Sequence, residues 1–144
     1  MQIQLLRADI TSLKVDAIVA PSSPSAIAQN GRATVVTGGN LLARFVIEVP
    51  VPHGDDENGD ARLRESMRDA LERADELAVA TIGIPVLGKQ ALGLDRCAQL
   101  MLRSTLDYRA RARSLHRAVF CLFGAEEYAV FDRVLHELER ELER

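Results

Sequence analysis

The first stretch able to do chemistry is Asp9-Ile10-Thr11-Ser12, a carboxylate followed closely by two hydroxyls. An ionised carboxylate only accepts hydrogen bonds, so Asp9 suits a donor-bearing ligand; Asp-x-Thr-Ser is equally good turn-capping chemistry with no ligand. His53-Gly54-Asp55-Asp56-Glu57-Asn58-Gly59 gathers an imidazole and three acids, a mix compatible with acid–base or metal work. A charge run bounded by glycines reads first as a solvated loop, however. Cys97 and Cys121 have no metal-ligand spacing with His53, His116 or His136, so no metal site is expected. His116 opens a strand-like run and His136 sits in an ion-rich helical one, where surface roles suffice.

These groups need elements to position them. Ile3–Leu6 alternates briefly, and Ala17–Ala20 is a short apolar run closed by Pro21-Ser22-Ser23-Pro24. Ala33–Thr37 is β-branched and stops at Gly38-Gly39-Asn40, a hairpin signal, so Arg44–Val49 reads as the returning strand, ended by Pro50 and Pro52. Asp60 is placed to cap a helix burying Leu63, Met67, Ala70, Leu71, Ala74 and Leu77, with Arg64 and Arg68 in exposed ion pairs. Ala80–Ile84 follows as a strand. Asp95 is placed to cap a second helix with Cys97, Ala98, Met101, Leu102, Thr105 and Leu106 inward. Ala118–Phe123 is wholly apolar, the pattern of a strand covered on both faces, and ends at Gly124. A last helix from about Glu126 turns Tyr128, Phe131, Val134, Leu135 and Leu138 inward. Strands alternating with helices imply parallel βαβ units, and the hairpin adds an antiparallel strand. The expectation is one domain over residues 1–144, a mixed sheet between helices.

Composition narrows the function classes. Hydrophobic residues are 47% and charged residues 27%, a globular balance. Aromatics are 4% with no Trp, and the formal charge is −3, which argues against base-stacking surfaces and attraction to nucleic-acid backbones. No run approaches the length of a membrane span, and Met1–Leu6 does not resemble a signal sequence. Two cysteines in apolar segments read as buried thiols, so the cytoplasm is the expected compartment.

Three segments, in order, resemble the macro domain family. Ala8-Asp9-Ile10-Thr11-Ser12-Leu13-Lys14-Val15-Asp16-Ala17-Ile18-Val19 is similar to its opening G-D-I-T-x-L-x-V-D-A-I-V, departing only at Ala8. Gly31–Val49 resembles the family's strand, glycine turn and strand ending V-I-H. Ile84-Pro85-Val86-Leu87-Gly88-Lys89-Gln90-Ala91-Leu92-Gly93 lies over P-x-L-G-T-G-x-x-G, and Phe120–Phe131 is similar to the final strand and helix. The resemblance implies a three-layer α/β/α sandwich with a mixed, mostly six-stranded sheet. It also implies ADP-ribose or a related adenine nucleotide as ligand, no cofactor, and a cleft at the strand ends.

Carried over by position, Asp9 with Ile10 would meet the adenine amino group, Ser22 and Ser23 would line the distal ribose, and Gly88–Gly93 (Gly88, Lys89, Gln90, Ala91, Leu92, Gly93) would face the diphosphate. Phe123 and Gly124 would complete the ligand set. Ser23 stands where the family has its functional Asn, and a hydroxyl cannot present the amide's paired donor and acceptor. Pro24–Asn30 is too short for the family's glycine-rich loop and helix. Gln90 replaces the middle glycine of the second loop, so a side chain projects where phosphate would approach. The reading is that Gln90 fills the cleft and Lys89 points to solvent.

These departures favour a weakened binding module without hydrolase activity. The alternatives are a protein-interaction module, self-associating through the sheet face left by the missing helix, and an ADP-ribosyl or O-acetyl-ADP-ribose hydrolase. No catalytic residue is assigned.

Overall fold

The computed structural model of the chain describes residues 1–22, 33–54 and 57–143. The strands are β1 (Gln2–Leu6), β2 (Ala17–Pro21), β3 (Thr34–Thr37), β4 (Phe45–Val49), β5 (Thr81–Pro85) and β6 (Arg117–Cys121). The helices are α1 (Gly59–Glu76), the single turn α2 (Lys89–Leu92), α3 (Leu94–Tyr108) and α4 (Ala125–Leu142). Short 3-10 turns, η1 (Ile10–Ser12) and η2 (Arg109–Arg111), are the remaining elements among the described residues. The strands form one sheet in the order β1-β6-β5-β2-β4-β3, parallel except for the β3–β4 pair. This is the mixed α/β architecture that the alternation implied. None of the described helices is long and apolar enough to cross a membrane.

Strand alternation divides the side chains between two faces. One face carries Ala17, Val19, Ile47, Val49, Ile82, Ile84, Ala118 and Phe120, all at most 1% exposed, and packs on α1, α3 and α4. Phe120 meets Phe131 of α4 with ring centroids 5.8 Å apart. The opposite face carries Ile18, Val119 and Cys121 under a smaller cluster that includes Val15 and Ala43, with Ile10, Leu13, Leu41 and Val46 at its margin. Among the described residues, this second outer layer is η1 and the loop 38–44 rather than long helices.

The β3–β4 hairpin forms with Thr37 opposite Phe45, but its connection runs from 38 to 44 instead of closing tightly at Gly38-Gly39-Asn40. Gly38 is required there, because a Cβ would lie 1.8 Å from the Ala43 carbonyl oxygen. Both expected helix caps shift. Asn58 and Gly93 flank α1 and α3, neither making a side-chain cap, and Asp60 and Asp95 fall in the first turns. A carboxylate there is favoured by the helix dipole without capping anything. Strand β6 ends at Cys121, so Phe123 leaves the sheet and is exposed. Of the two arginines expected in ion pairs, Arg68 approaches Glu72 at 4.0 Å.

At the edge where the parallel strands begin, two carboxylates bind backbone. Asp16 Oδ2 accepts from the N–H groups of Ala80 (2.9 Å) and Thr81 (3.2 Å), tying the start of β2 to that of β5. Asp75, in the last turn of α1, accepts from the backbone N–H groups of Arg113, Ser114 and Leu115 and from the Tyr108 hydroxyl at 2.5 Å. The Ala80 N–H holds Asp16 below the ordinary carboxylate value against the cost of burial. Burial would raise Asp75, but the Tyr108 hydroxyl and the Leu115 N–H, with their neighbours, outweigh it.

Candidate functional site

The parallel strands end nearly level: Leu6 is opposite Cys121, Cys121 opposite Pro85, and Pro21 opposite Val49. The segments leaving β1, β6, β5, β2 and β4 therefore share one edge of the sheet. They bring Asp9, Phe123 with Gly124, Gly88, Ser22 and Pro52 into that spatial order from segments far apart in the chain. In open parallel sheets such an edge is where ligands are held.

Asp9 is exposed and starts η1. Its Oδ1 accepts from the Thr11 N–H (3.0 Å) and the Thr11 hydroxyl (2.8 Å), and its carbonyl accepts from Ser12 Oγ (2.8 Å). The Thr11 N–H, then the Thr11 hydroxyl, keep the carboxyl below its ordinary value, so Asp9 is a fixed anion. Its turn-capping chemistry is thus present, and both of the Thr11 bonds fall on the same oxygen. The field of Asp9 reaches Cys121, whose thiol is pushed up to about 11 by burial first and Asp9 second. Ile10 is half-buried against the second sheet face.

A cleft of about 670 Å³ lies at the ends of β2, β4 and β5. Gly88, Lys89, Gln90 and Ala91 line it, together with Pro21, Val51, Pro52, His53, Gly54, Val86 and Leu87. Gly88 adopts φ +75, and a Cβ on it would come within 3.0 Å of Pro52 Cγ. Ser66 Oγ donates to the Pro50 carbonyl at 2.5 Å, holding the chain after β4 against α1. Glycine and proline together thus set the spacing of two cleft walls.

Lys89 does not simply point to solvent: its Nζ lies 3.7 Å from Glu127 Oε1 on α4. Gln90 is an exposed lining residue, not a buried plug. Leu92 is half-buried and Gly93 precedes α3 with φ +84; neither lines the cleft. Ser22 is buried, its N–H donates to the Val49 carbonyl at 2.8 Å, and its Oγ has no partner among the described residues. Phe123 is 78% exposed beside Gly124, whose carbonyl accepts from the Tyr128 N–H. Ser23, Pro24–Asn30, Asp55 and Asp56 lie outside the described residues. The sequence reading missed Pro52 and His53 as cleft residues. The two prolines after β4 were its signal, legible only as strand breakers. No group of three or more His, Cys, Asp or Glu side chains able to hold a metal occurs among the described residues.

The Macro domain family model matches residues 14–101, most of the chain. The chain belongs to the macro domain family. A macro domain-containing protein of Caldanaerobacter subterraneus is 32% identical over 114 residues, 76% of this chain, which spans 65% of that protein's length. An O-acetyl-ADP-ribose deacetylase of Klebsiella pneumoniae is 24% identical, covering 94% of this chain and 97% of its own. Among solved structures, the Oceanobacillus iheyensis macrodomain with ADP superposes with a TM-score of 0.84 at 15% identity, over 95% of this chain and 91% of that one. That likeness is one of fold.

Proposed function

We propose that this macro domain binds ADP-ribose or a related adenine nucleotide weakly along the strand-end edge, without the hydrolase activity of some relatives. The observation carrying the reading is the level ending of the parallel strands, which puts the segments bearing Asp9, Phe123 and the Gly88–Ala91 turn on one edge of the sheet, where that turn lines a 670 Å³ cleft. Asp9 offers a fixed acceptor for the adenine amino group and Phe123 an exposed ring for its face. Lys89 in the Gly88–Ala91 turn lines the cleft and offers a cation to a phosphate. Family membership and the ADP-bearing fold neighbour support the ligand class. Weakness follows from Ser23 in place of the functional Asn and from the brevity of Pro24–Asn30, both features of the sequence. The unpaired, buried Cys97 and Cys121 support a cytoplasmic setting.

Calorimetric titration with ADP-ribose tests the reading. Heat that saturates near millimolar ligand is the expected result, and none at that concentration would sink it. Incubation with an ADP-ribosylated protein should release no product; release would establish the hydrolase alternative instead. One observation favours self-association: Val36 and Leu42, 42% and 57% exposed, stand around β3 and its loop. Light scattering that finds only monomer at high concentration would remove that alternative.

A further inference from the structure

The ion pair between Lys89 and Glu127 joins the loop after β5 to the first turn of α4. Lys89 and His53 are the basic side chains lining the cleft among the described residues. The two partners are unequally placed, the side chain of Lys89 being 50% exposed and that of Glu127 19%. Glu126 and Glu127 both occupy the first turn of a long helix, where the dipole already favours a carboxylate. Glu127 therefore has a second source of stabilisation, whereas Lys89 is a flexible cation free to change partner. At 3.7 Å the contact is longer than the about 2.7–2.9 Å of a strong charge-assisted bond, which makes it easy to exchange. An anion entering the cleft therefore meets a lysine already paired with Glu127.

We propose that Glu127 is a charge gate on the cleft: it holds the lysine that an anionic ligand needs, so phosphate-bearing ligands bind only by displacing it, while neutral ones are indifferent to it. This rests on the adenine-nucleotide reading and sharpens it, because it names Lys89 and Glu127 as the pair that sets the ligand charge accepted. A purely structural tie between α4 and the Gly88 loop would change stability without sorting ligands by charge.

The test titrates the full chain, as wild type, Glu127→Gln and Lys89→Met, with ADP-ribose and separately with adenosine. Glu127→Gln is expected to tighten ADP-ribose about two- to fivefold at low salt, the size of a partly exposed ion pair that no longer has to break, and to leave adenosine unchanged. That gain should shrink at molar salt, where the Debye length falls to about 3 Å. Lys89→Met is expected to weaken ADP-ribose alone, and it provides the second readout should the glutamate variant fail to fold. Wild-type binding of ADP-ribose with no gain in Glu127→Gln, or equal changes for both ligands, would overturn the gate while leaving the binding reading intact. Absence of binding to either ligand by all three proteins would overturn the binding reading and the gate with it.

Discussion

The two edges of the sheet use the same side chains to opposite ends. Where the parallel strands begin, Asp16 and Asp75 spend their oxygens on backbone N–H groups of segments 64 and about 40 residues distant, closing long loops. Where the strands end, Asp9 binds only its own turn, Ser22 Oγ has no partner among the described residues, Phe123 stands exposed, and Lys89 and Glu127 make a long ion pair. Carboxylates of one chemistry hold the fold at one edge and face solvent at the other. Asp9 and Asp16 even come from one sequence motif, which shows that the motif alone does not separate a carboxylate tied to distant backbone from one left exposed. The long-range carboxylate bonds lie at the starting edge, whereas Asp9 at the other bonds only within its own turn.

That contrast can be broken most readily at Asp75. Asp75→Ala strands three backbone donors and the Tyr108 hydroxyl, and should cost about 2–4 kcal/mol on denaturant unfolding, given about 1–3 kcal/mol per unsatisfied buried group and the access of water here. Asp16→Ala, with two donors, should lose about 1–3 kcal/mol by the same measurement. If either proves neutral, the starting edge is not the anchor described.

Acid should act through the same pair. Both carboxyls are lowered in the folded state, so their contribution is complete above the ordinary value of 3.8 and is lost as pH falls through the folded values. Melting temperature should therefore drop below about pH 4, and the drop should be shallower in Asp75→Ala than in wild type. An unchanged slope would mean other groups govern acid unfolding.

At the opposite edge the expected changes in stability are smaller. Gly88→Ala should destabilise by about 1 kcal/mol or more, since φ +75 disfavours a Cβ that also crowds Pro52. Asp9→Ala loses only an exposed turn cap and should shift the melting temperature least of all, yet abolish any adenine-dependent heat on titration. A large melting shift from Asp9→Ala would place it with Asp16 as a structural residue.

Much of the fold is legible because it depends on neighbours in the chain. The apolar run from Ala118 to Leu122 is buried from both sides, and the inward residues named for α1 and α3 are buried apart from Leu77, just beyond α1. Helix starts were less legible, because Asp60 and Asp95 suit a cap and a first turn equally well. Phe123 continues the apolar run by composition but lies past the last residue of β6, a boundary that pairing decides.

By itself, the sequence determined which segments become strands and helices, which residues face inward, and the resemblance carried by Asp9–Val19. Local periodicity and backbone preference suffice for those. The tertiary structure alone decided that Pro52 would abut Gly88, that Lys89 would find Glu127, and that one carboxylate of the motif would bind Ala80 while the other stayed exposed. Those contacts join residues 36 to 64 positions apart. They follow from strand order and register, which no local pattern of residues encodes.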